Sequence, residues 1–319
     1  MKVVIVGGTG QVGRVLTRAF HSAKNELVIL SRHRAPNTRA RVVLWNGNDA
    51  GAWTAELESA TAVINLAGRS VNCRYGSRNR REIMQSRIDS VHAIGRAIQQ
   101  AKRPPQVWLQ ASTATIYAHR FDAPNDEFDG IIGGEERHTP DTWRFSIDVA
   151  KAWESAVGQF TPLPKTRVVM MRSAMVMSPD PGGIFAMLRR LVRLRLGGRA
   201  GQGDQYISWI HEHDFANAVR LFIDNTEFSG VVNVCAPEPM PSNRFMRELR
   251  HACGVRVGLP ATSWMLEIGA FLMRTETELI LKSRRVIPRR LLESGFRFQF
   301  PHWPDAAADL CHRYRTGNQ

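Results

Sequence analysis

A glycine-rich loop near the start of the chain has the spacing of a diphosphate-binding turn. The loop reads Gly7-Gly8-Thr9-Gly10-Gln11-Val12-Gly13 and satisfies both G-x-x-G-x-x-G and G-x-G-x-x-G. It directly follows an apolar run at 2–6 and precedes apolar residues at helical spacing, so it lies where a β-α-β unit passes from strand to helix. In such a turn the middle glycine lets the backbone approach a pyrophosphate, and the N–H groups of the first helical turn face the phosphates. We therefore predict a dinucleotide site formed by all seven loop residues.

The end of the second predicted strand indicates which dinucleotide binds. The apolar run at 26–30 is followed by Ser31, Arg32, His33 and Arg34. A site for NAD usually places Asp or Glu here to bind the ribose hydroxyls, and neither is present. Arg32 could pair with a 2′-phosphate and Ser31 could donate to it. The sequence thus favours NADP(H) over NAD(H). The alternative is that Arg32 is a surface arginine without a role in binding.

Strand and helix signals alternate through the first half of the chain and predict the elements that carry these residues. We expect strands at 2–6, 26–30, 42–45, 62–66, 107–111 and 167–171, with helices at 80–101 and 142–160. This rhythm predicts an α/β fold built on a doubly wound parallel sheet, the Rossmann arrangement. The rhythm breaks after Arg172, where a helix at 184–194, short strands at 206–210 and 231–234 and helical pieces separated by prolines follow.

Two domains are expected from this change of pattern. An NADP-binding Rossmann domain would comprise residues 1–172, with residues 206–235 returning to it. Residues 173–205 and 236–319 would form a smaller C-terminal α/β domain that holds the substrate.

Composition excludes several classes of protein. The chain has 319 residues, of which 43% are hydrophobic and 23% charged, as in ordinary globular proteins and unlike disordered ones. No apolar run approaches the roughly 18–20 residues of a membrane span, and the N-terminal run is too short for a signal peptide. We therefore expect a cytoplasmic protein. The four cysteines are far apart in sequence without Cys-x-x-Cys, so we expect buried or incidental thiols and no metal site.

The charge of the chain is strongly basic. The formal net charge is +14, and 37 of the 43 basic residues are arginine. Two clusters stand out: Arg69, Arg74, Arg78, Arg80, Arg81 and Arg87, and then Arg189, Arg190, Arg193, Arg195 and Arg199. Such charge indicates an anionic partner or a solvated surface. No nucleic-acid-binding motif accompanies it, so we expect a small-molecule substrate rather than nucleic acid or a membrane.

Three segments together resemble a known family. The glycine loop, Asn65-Leu66-Ala67-Gly68 and the segment 112–117 resemble an extended short-chain dehydrogenase/reductase. The best match is its atypical branch of epimerase-family proteins, which carries a C-terminal domain of unknown function. Further stretches that match this branch are 82–87, 151–154, 182–183, 201–205, 208–211 with Asp214, 233–237 and 285–296. The resemblance covers nearly the whole chain.

The resemblance implies where a nucleotide would lie. NADP(H) would cross the carboxyl ends of the strands, with the smaller domain closing over the nicotinamide. It would contact the glycine loop from Gly7 to Gly13, Ser31, Arg32, Leu66, Ala67 and Gly68. Glu82 and Arg87 would approach it from the long helix, and Val176 would lie near the nicotinamide end.

The catalytic pair usual in this superfamily is missing from the chain. Most members use Tyr with Lys four residues later on one helical face. The four tyrosines here are followed at that spacing by Asn79, Phe121, Ile210 and Asn318. Alignment on Glu154 puts Ser146 and Ala150 at the Tyr and Lys places, and the atypical branch shares this loss.

Other residues remain as catalytic candidates. Thr113, or its neighbour Ser112, could hydrogen-bond a substrate carbonyl, and Arg87 could stabilise a developing oxyanion. Tyr117 is a candidate acid, although a structural aromatic beneath the site is the favoured interpretation. For His211 we expect a structural hydrogen bond at the domain junction.

Two functions are consistent with these features. The first is an NADP(H)-dependent, epimerase/dehydratase-like oxidoreductase acting on an unidentified small carbonyl or hydroxyl compound. The second is a catalytically silent NADP(H)-binding redox sensor or scaffold, which the missing Tyr and Lys favour. Either is compatible with a monomer or a homodimer.

Overall fold

A seven-stranded parallel sheet organises the chain. The computed structural model describes residues 1–35, 38–262, 265, 276 and 278–317. Its strands are β1 (Lys2–Val6), β2 (Glu26–Ser31), β3 (Arg41–Leu44), β4 (Ala62–Asn65), β5 (Val107–Thr113), β6 (Arg167–Ser173), β7 (Met175–Met177), β8 (Tyr206–Ile207), β9 (Trp209–His211), β10 (Gly230–Val234) and β11 (Met240–Pro241). The large sheet has the order β10-β6-β5-β4-β1-β2-β3, and β7–β9 and β8–β11 form two small pairs. The predicted doubly wound parallel sheet is confirmed.

Helices cover both faces of this sheet. The helices in the described residues are α1 (Gln11–Phe20), α2 (Ser77–Gln100), α3 (Asp141–Gly158), α4 (Ile184–Arg193), α5 (Glu212–Asp224), α6 (Ser242–Ala252), α7 (Glu278–Leu281), α8 (Arg289–Glu293) and α9 (Trp303–Thr316), of which α1, α2, α3 and α5 pack on the sheet. Within the ranges given above, each helix is too short or too polar to cross a bilayer.

One helix of the sheet layer differs from the sequence-based expectation. We predicted a short strand at 231–234, within residues 206–235 that return to the Rossmann domain, but no helix before it; in the structure α5 precedes β10, which pairs with β6 at the sheet edge. Phe215, Val219 and Phe222 are buried along α5 at helical spacing. The small β7–β9 pair interrupts the rhythm along the chain, and the β-α alternation then resumes.

Alternation along the strands separates two hydrophobic layers. On β1, Val3 and Ile5 pack with α1 and α5, whereas Val4 and Val6 pack with α2 and α3. Successive side chains of a strand point to opposite faces, so a continuous apolar run is buried on both sides. This accounts for the unbroken apolar sequence at 3–6, whereas Lys2 at the start of β1 is only partly buried.

A third hydrophobic cluster lies apart from these two layers. Phe185 of α4, Trp209 of β9, Phe245 of α6 and Trp303 of α9 are its large members, and Phe245 stacks on Trp303 with ring centroids 3.9 Å apart. The cluster draws on both segments that we assigned to the smaller domain, together with β9. The division into two domains stays a prediction.

His211 joins α5 to the last helix. Its side chain is fully buried, its Nδ1 accepts from the backbone N–H of His213 at 3.1 Å, and its Nε2 lies 3.1 Å from Asp309 Oδ2. Burial, with His213 and Arg313 nearby, lowers the pKa of His211 from 6.5 to about 2. The imidazole is therefore neutral in the native protein, with Nε2 as the donor to Asp309.

Acid is expected to destabilise the fold through His211. The native pKa is depressed, so this stabilisation is present above pH 6.5 and is lost as the pH falls and the unfolded chain takes up the proton. Between about pH 7 and pH 5 the free energy of unfolding should fall by about 2 kcal/mol from this residue. Urea unfolding of the wild type and His211→Asn at both pH values measures it, since asparagine retains a cap for α5 without titrating. An equal loss of stability in both proteins would contradict the assignment.

Candidate functional site

The glycine loop packs tightly except at one position. A Cβ on Gly13 would lie 2.3 Å from the carbonyl oxygen of Gly8, so the start of α1 and the end of β1 approach too closely for any side chain there. Gly10 differs, because its φ of −71° and ψ of 174° suit any residue and a Cβ would meet only Gly7 O, at 3.6 Å. Neither the backbone nor its neighbours require glycine at position 10. In a diphosphate-binding turn, a glycine at this place lets the ligand approach the backbone.

The first turn of α1 is open to an anion. Gly10 caps the helix without a side-chain hydrogen bond, and the turn contains no acidic residue. N–H groups at the start of a helix lack partners within it and carry a partial positive charge. The carboxyl ends of β1 and β4, where the strand order reverses, lie at this point. Parallel α/β sheets bind ligands at such a switch point.

A cavity of about 740 Å³ extends from this loop across the ends of β2 and β4. Nine of the fifteen predicted nucleotide-binding residues line it: Gly7, Thr9, Gly10, Ser31, Arg32, Leu66, Ala67, Gly68 and Glu82. The remaining lining is formed by His33, Trp45, Asn46, Gly47, Asn48, Arg69, Gln85, Ser86, Asp89 and Ser90. The loop at 45–48 was missed in the sequence, although it follows β3 and the ends of parallel strands share one edge of a sheet.

The end of β2 presents a serine and an arginine to the cavity. Ser31 is buried; its Oγ lies 3.5 Å from Thr9 Oγ1 and accepts from the backbone N–H of His33. Arg32 is exposed, and its side chain forms no ion pair with any residue in the described ranges. Its guanidinium is therefore available to an anionic ligand in the cavity.

Glu82 and Arg87 lie five residues apart on α2 and have different surroundings. The Glu82 carboxylate pairs with Arg69 and with Arg78. Arg87 donates to the carbonyl oxygens of Arg69 and Ile83 at 3.1 and 2.9 Å. Burial lowers the pKa of Arg87 to about 10, so the side chain is still a cation at neutral pH. Arg87 thus places a positive charge next to Gly68 and Arg69, which line the cavity of about 740 Å³.

Six predicted nucleotide residues do not line this cavity: Gly8, Gln11, Val12, Gly13, Arg87 and Val176. Gln11 Nε2 donates to the carbonyl oxygen of Val176 at 3.1 Å, which connects α1 to β7. Gly8 lies beneath the loop against Ile29, and Val12 follows in the first turn of α1. Val176 itself is buried. Contact of these residues with a nucleotide stays a prediction.

A second, smaller cavity of about 130 Å³ lies beyond Arg87. Its polar side chains are those of Tyr75, Arg87, Thr113, Thr115, Ser146 and Glu278, and its apolar side chains are those of Val71, Ile83, Phe145, Val149 and Trp153. Arg87 lies above the Trp153 ring at 4.9 Å, and Ser146 donates to Glu278 at 2.5 Å. A few converging polar groups in an apolar cavity are typical of a site for a small molecule.

Of the three catalytic candidates, only Thr113 lines this cavity. Ser112 donates to Glu154 at 2.6 Å, and Arg172 binds the same carboxylate through two nitrogens. The Tyr117 hydroxyl accepts from Arg172 at 3.0 Å and donates to Asn233 at 2.9 Å. Burial raises the pKa of the Tyr117 phenol, which is only 2% exposed. Ser112 and Tyr117 thus belong to a buried polar network, in which their hydroxyl groups are held by Glu154, Arg172 and Asn233.

Tyr75 and Glu278 reach the cavity from elements that the sequence did not connect with it. Tyr75 precedes α2, and Glu276 accepts from its backbone N–H at 2.6 Å. Burial, and then the charge of Glu278, raise the pKa of Tyr75 to about 12, so its phenol is protonated at neutral pH. Asn79 stands four residues after Tyr75, so the Tyr-x-x-x-Lys pattern does not indicate Tyr75 in the sequence. Within the described residues, no three His, Cys, Asp or Glu side chains are placed to hold a metal ion.

Comparison with known families agrees with this geometry. Residues 3–235 match the NAD dependent epimerase/dehydratase family, and residues 261–310 match a domain of unknown function, DUF1731. The first match contains the sheet and the glycine loop. The second contains α8 and also α7, whose Glu278 lines the smaller cavity.

Relatives of similar length support the same assignment. Epimerase family protein SDR39U1 of Bos taurus is 30% identical over 305 residues, 94% of this chain and 96% of that protein. A crystal structure of the human protein of that name with NADPH is 28% identical, with a TM-score of 0.84 over 98% of this chain and 99% of that one. UDP-N-acetylglucosamine 4-epimerase from Bacillus cereus, at 15% identity and a TM-score of 0.72 over 99% and 96%, shares the fold.

Proposed function

The chain belongs to the NAD dependent epimerase/dehydratase family, and from this premise we propose that it binds NADP(H) and interconverts a small carbonyl compound and its alcohol. The observation that carries the proposal is the junction of the two cavities. Arg87 lines the smaller one and also contacts Gly68 and the Arg69 carbonyl oxygen, which border the larger one. A nucleotide in the larger cavity would therefore lie beside a second cavity that is lined by both polar and apolar side chains.

The larger cavity suits a dinucleotide diphosphate. The first turn of α1 supplies unpaired N–H groups, and Gly10 keeps its surface free of a side chain. Ser31 and Arg32 would hold the 2′-phosphate, since a guanidinium pairs with phosphate through two hydrogen bonds. Bound NADPH in the human relative supports this choice of nucleotide.

The choice between NADP(H) and NAD(H) is tested at Arg32. We expect Arg32→Gln to weaken NADPH binding by about 10- to 100-fold, because a hydrogen bond to a charged group contributes about 1.5–3 kcal/mol. NADH has no 2′-phosphate, so its affinity should change little. Calorimetric titration with both nucleotides measures the ratio, with Arg34→Gln, which does not line the cavity, as the matched control. An unchanged ratio in Arg32→Gln would rule out the assignment.

Residues of the smaller cavity would carry the chemistry on the substrate. Bound NADP(H) supplies or accepts the hydride. Thr113 would donate a hydrogen bond to the substrate carbonyl, and Arg87 would stabilise negative charge as it develops on that oxygen. Tyr75, protonated at neutral pH, would supply the proton to the same oxygen and take it back in the reverse direction.

Turnover is the test of this function. A panel of aldehydes, ketones and sugar derivatives is incubated with NADPH and the purified protein, and loss of the reduced nicotinamide absorbance is followed. Consumption with at least one carbonyl compound is expected. Tight NADPH binding without consumption across the panel would reject the enzyme and leave the redox sensor or scaffold, which the missing Tyr-x-x-x-Lys favours. If neither reduced nucleotide binds, both functions are excluded.

A further inference from the structure

The two arginine clusters of the sequence have different surroundings. In the first, arginines pair with carboxylates: Arg69 and Arg78 with Glu82, Arg74 with Glu276, and Arg80 with Asp141. In the second, Arg189, Arg193 and Arg195 line a cavity of about 690 Å³ together with Arg256 and Arg315. None of these five arginines forms an ion pair with a residue in the described part of the chain. The cavity is thus a concentration of uncompensated positive charge, which favours an anionic ligand.

Two thiols meet at the wall of this arginine-lined cavity. Cys253 ends α6 and Cys311 lies on α9, and their sulfur atoms are 3.3 Å apart. Both residues line the cavity. Cys311 is only 2% exposed, whereas Cys253 is half-buried and faces the open space. A reagent in the cavity therefore reaches Cys253 first.

The surroundings also favour the thiolate of Cys253. The two thiols share a hydrogen bond. That bond to Cys311, with Arg189, Arg193 and Arg315 nearby, lowers the pKa of Cys253 against the effect of burial. The shared proton and burial raise the pKa of Cys311. A thiolate is the nucleophile in thiol chemistry, and nearby cations promote it. Cys253 is thus the attacking thiol, and Cys311 is placed to react second.

We propose that Cys253 and Cys311 form a redox-active dithiol that exchanges with small disulfides bearing carboxylates, which the arginines of the cavity bind. The juxtaposition of a close thiol pair with five arginines carries this inference, and it does not depend on the function proposed for the nucleotide site. It assigns a reactive site to thiols for which the sequence alone suggested an incidental role.

The exchange proceeds in two balanced steps. The Cys253 thiolate attacks one sulfur of the disulfide, forms a mixed disulfide and releases one small thiolate. Cys311 then loses its proton and attacks the Cys253 sulfur, which forms the Cys253–Cys311 disulfide and releases the second small thiolate. The two protein thiols are oxidised, and one small disulfide is reduced to two thiols.

Charge selectivity of the reaction is the first test. Oxidised glutathione is anionic and cystamine is cationic, and both are symmetric disulfides. We expect oxidised glutathione to oxidise the dithiol at least about 10-fold faster at low ionic strength, with the difference decreasing as salt screens the arginines. The experiment uses a Cys73→Ser background, because Cys73 is the other partly exposed thiol. Intact mass reports loss of two hydrogen atoms, and peptide mapping locates the bond.

Matched arginine variants separate the cavity from the net charge of +14. Arg193→Gln, which removes one charge from the lining, should reduce the rate with oxidised glutathione several-fold. Arg190→Gln, on the same helix but outside the lining, should leave it nearly unchanged. Equal effects of the two changes would show that the protein's overall charge, not the cavity, selects the reagent, and would overturn the proposal.

Cysteine variants test the order of attack. Cys311→Ser should stop at a mixed disulfide on Cys253, and Cys253→Ser should leave Cys311 unreacted. Absence of a bond between residues 253 and 311 in the oxidised Cys73→Ser protein would contradict the proposal, as would reaction at Cys311 in Cys253→Ser. Far-ultraviolet circular dichroism of each variant verifies that it is folded.

Discussion

Replacing Gly10 by alanine should abolish NADPH binding at micromolar concentrations while the protein stays folded. The backbone at Gly10 accepts any residue, and the nearest atom to a Cβ there is Gly7 O at 3.6 Å. The added methyl group would occupy the surface on which the diphosphate lies. Losing about two charged hydrogen bonds at about 1.5–3 kcal/mol each weakens binding by on the order of 100-fold or more.

A second glycine in the same position on another helix is the control for Gly10→Ala. Gly76 caps α2 with φ −68° and ψ 163°, and a Cβ there would meet nothing within 4 Å. Both variants should lose no more than about 1 kcal/mol of stability as helix caps. Calorimetric titration with NADPH should show loss of binding in Gly10→Ala only. Wild-type affinity in Gly10→Ala would exclude a diphosphate at this loop.

Removing the hydroxyl of Tyr75 should slow carbonyl reduction strongly without unfolding the protein. Tyr75 lines the smaller cavity with Thr113 and Arg87, and proton transfer by a positioned side chain contributes about 10²- to 10⁴-fold to a rate. Tyr75→Phe retains the aromatic contact with Phe145, whose ring lies 5.1 Å away. We therefore expect kcat to fall by about 10²-fold or more on the compound that the carbonyl panel identifies, with NADPH affinity unchanged.

Tyr117→Phe is the matched control for Tyr75→Phe, and it also tests the candidate acid from the sequence. The Tyr117 hydroxyl is enclosed by Arg172 and Asn233 and lines neither cavity. Its removal leaves buried partners unsatisfied, so we expect a loss of about 1–3 kcal/mol in unfolding free energy with kcat retained. The reverse result, a rate loss in Tyr117→Phe and none in Tyr75→Phe, would return the acid role to Tyr117.

The local sequence was sufficient to predict the parallel sheet and the turn formed by the glycine loop. The apolar run at 2–6 predicts a strand buried on both faces, and the spacing of the following glycines predicts the turn into α1. These signals lie within a few consecutive residues, and the backbone geometry of a strand-to-helix turn depends on those residues alone. Ser31 and Arg32 could be placed at the cavity for the same reason, because Ser31 ends β2 and Arg32 follows it.

Only the tertiary structure decided what faces the smaller cavity and which thiols meet. Ser146 and Glu278 are 132 residues apart in sequence, and Cys253 and Cys311 are 58 apart. The sequence indicated Tyr117 and not Tyr75 as a candidate acid. In the structure the Tyr117 hydroxyl is enclosed in a polar network, and Tyr75 lines the smaller cavity. Such contacts depend on how helices from distant segments pack on the sheet, and no periodicity or spacing along the chain encodes that placement.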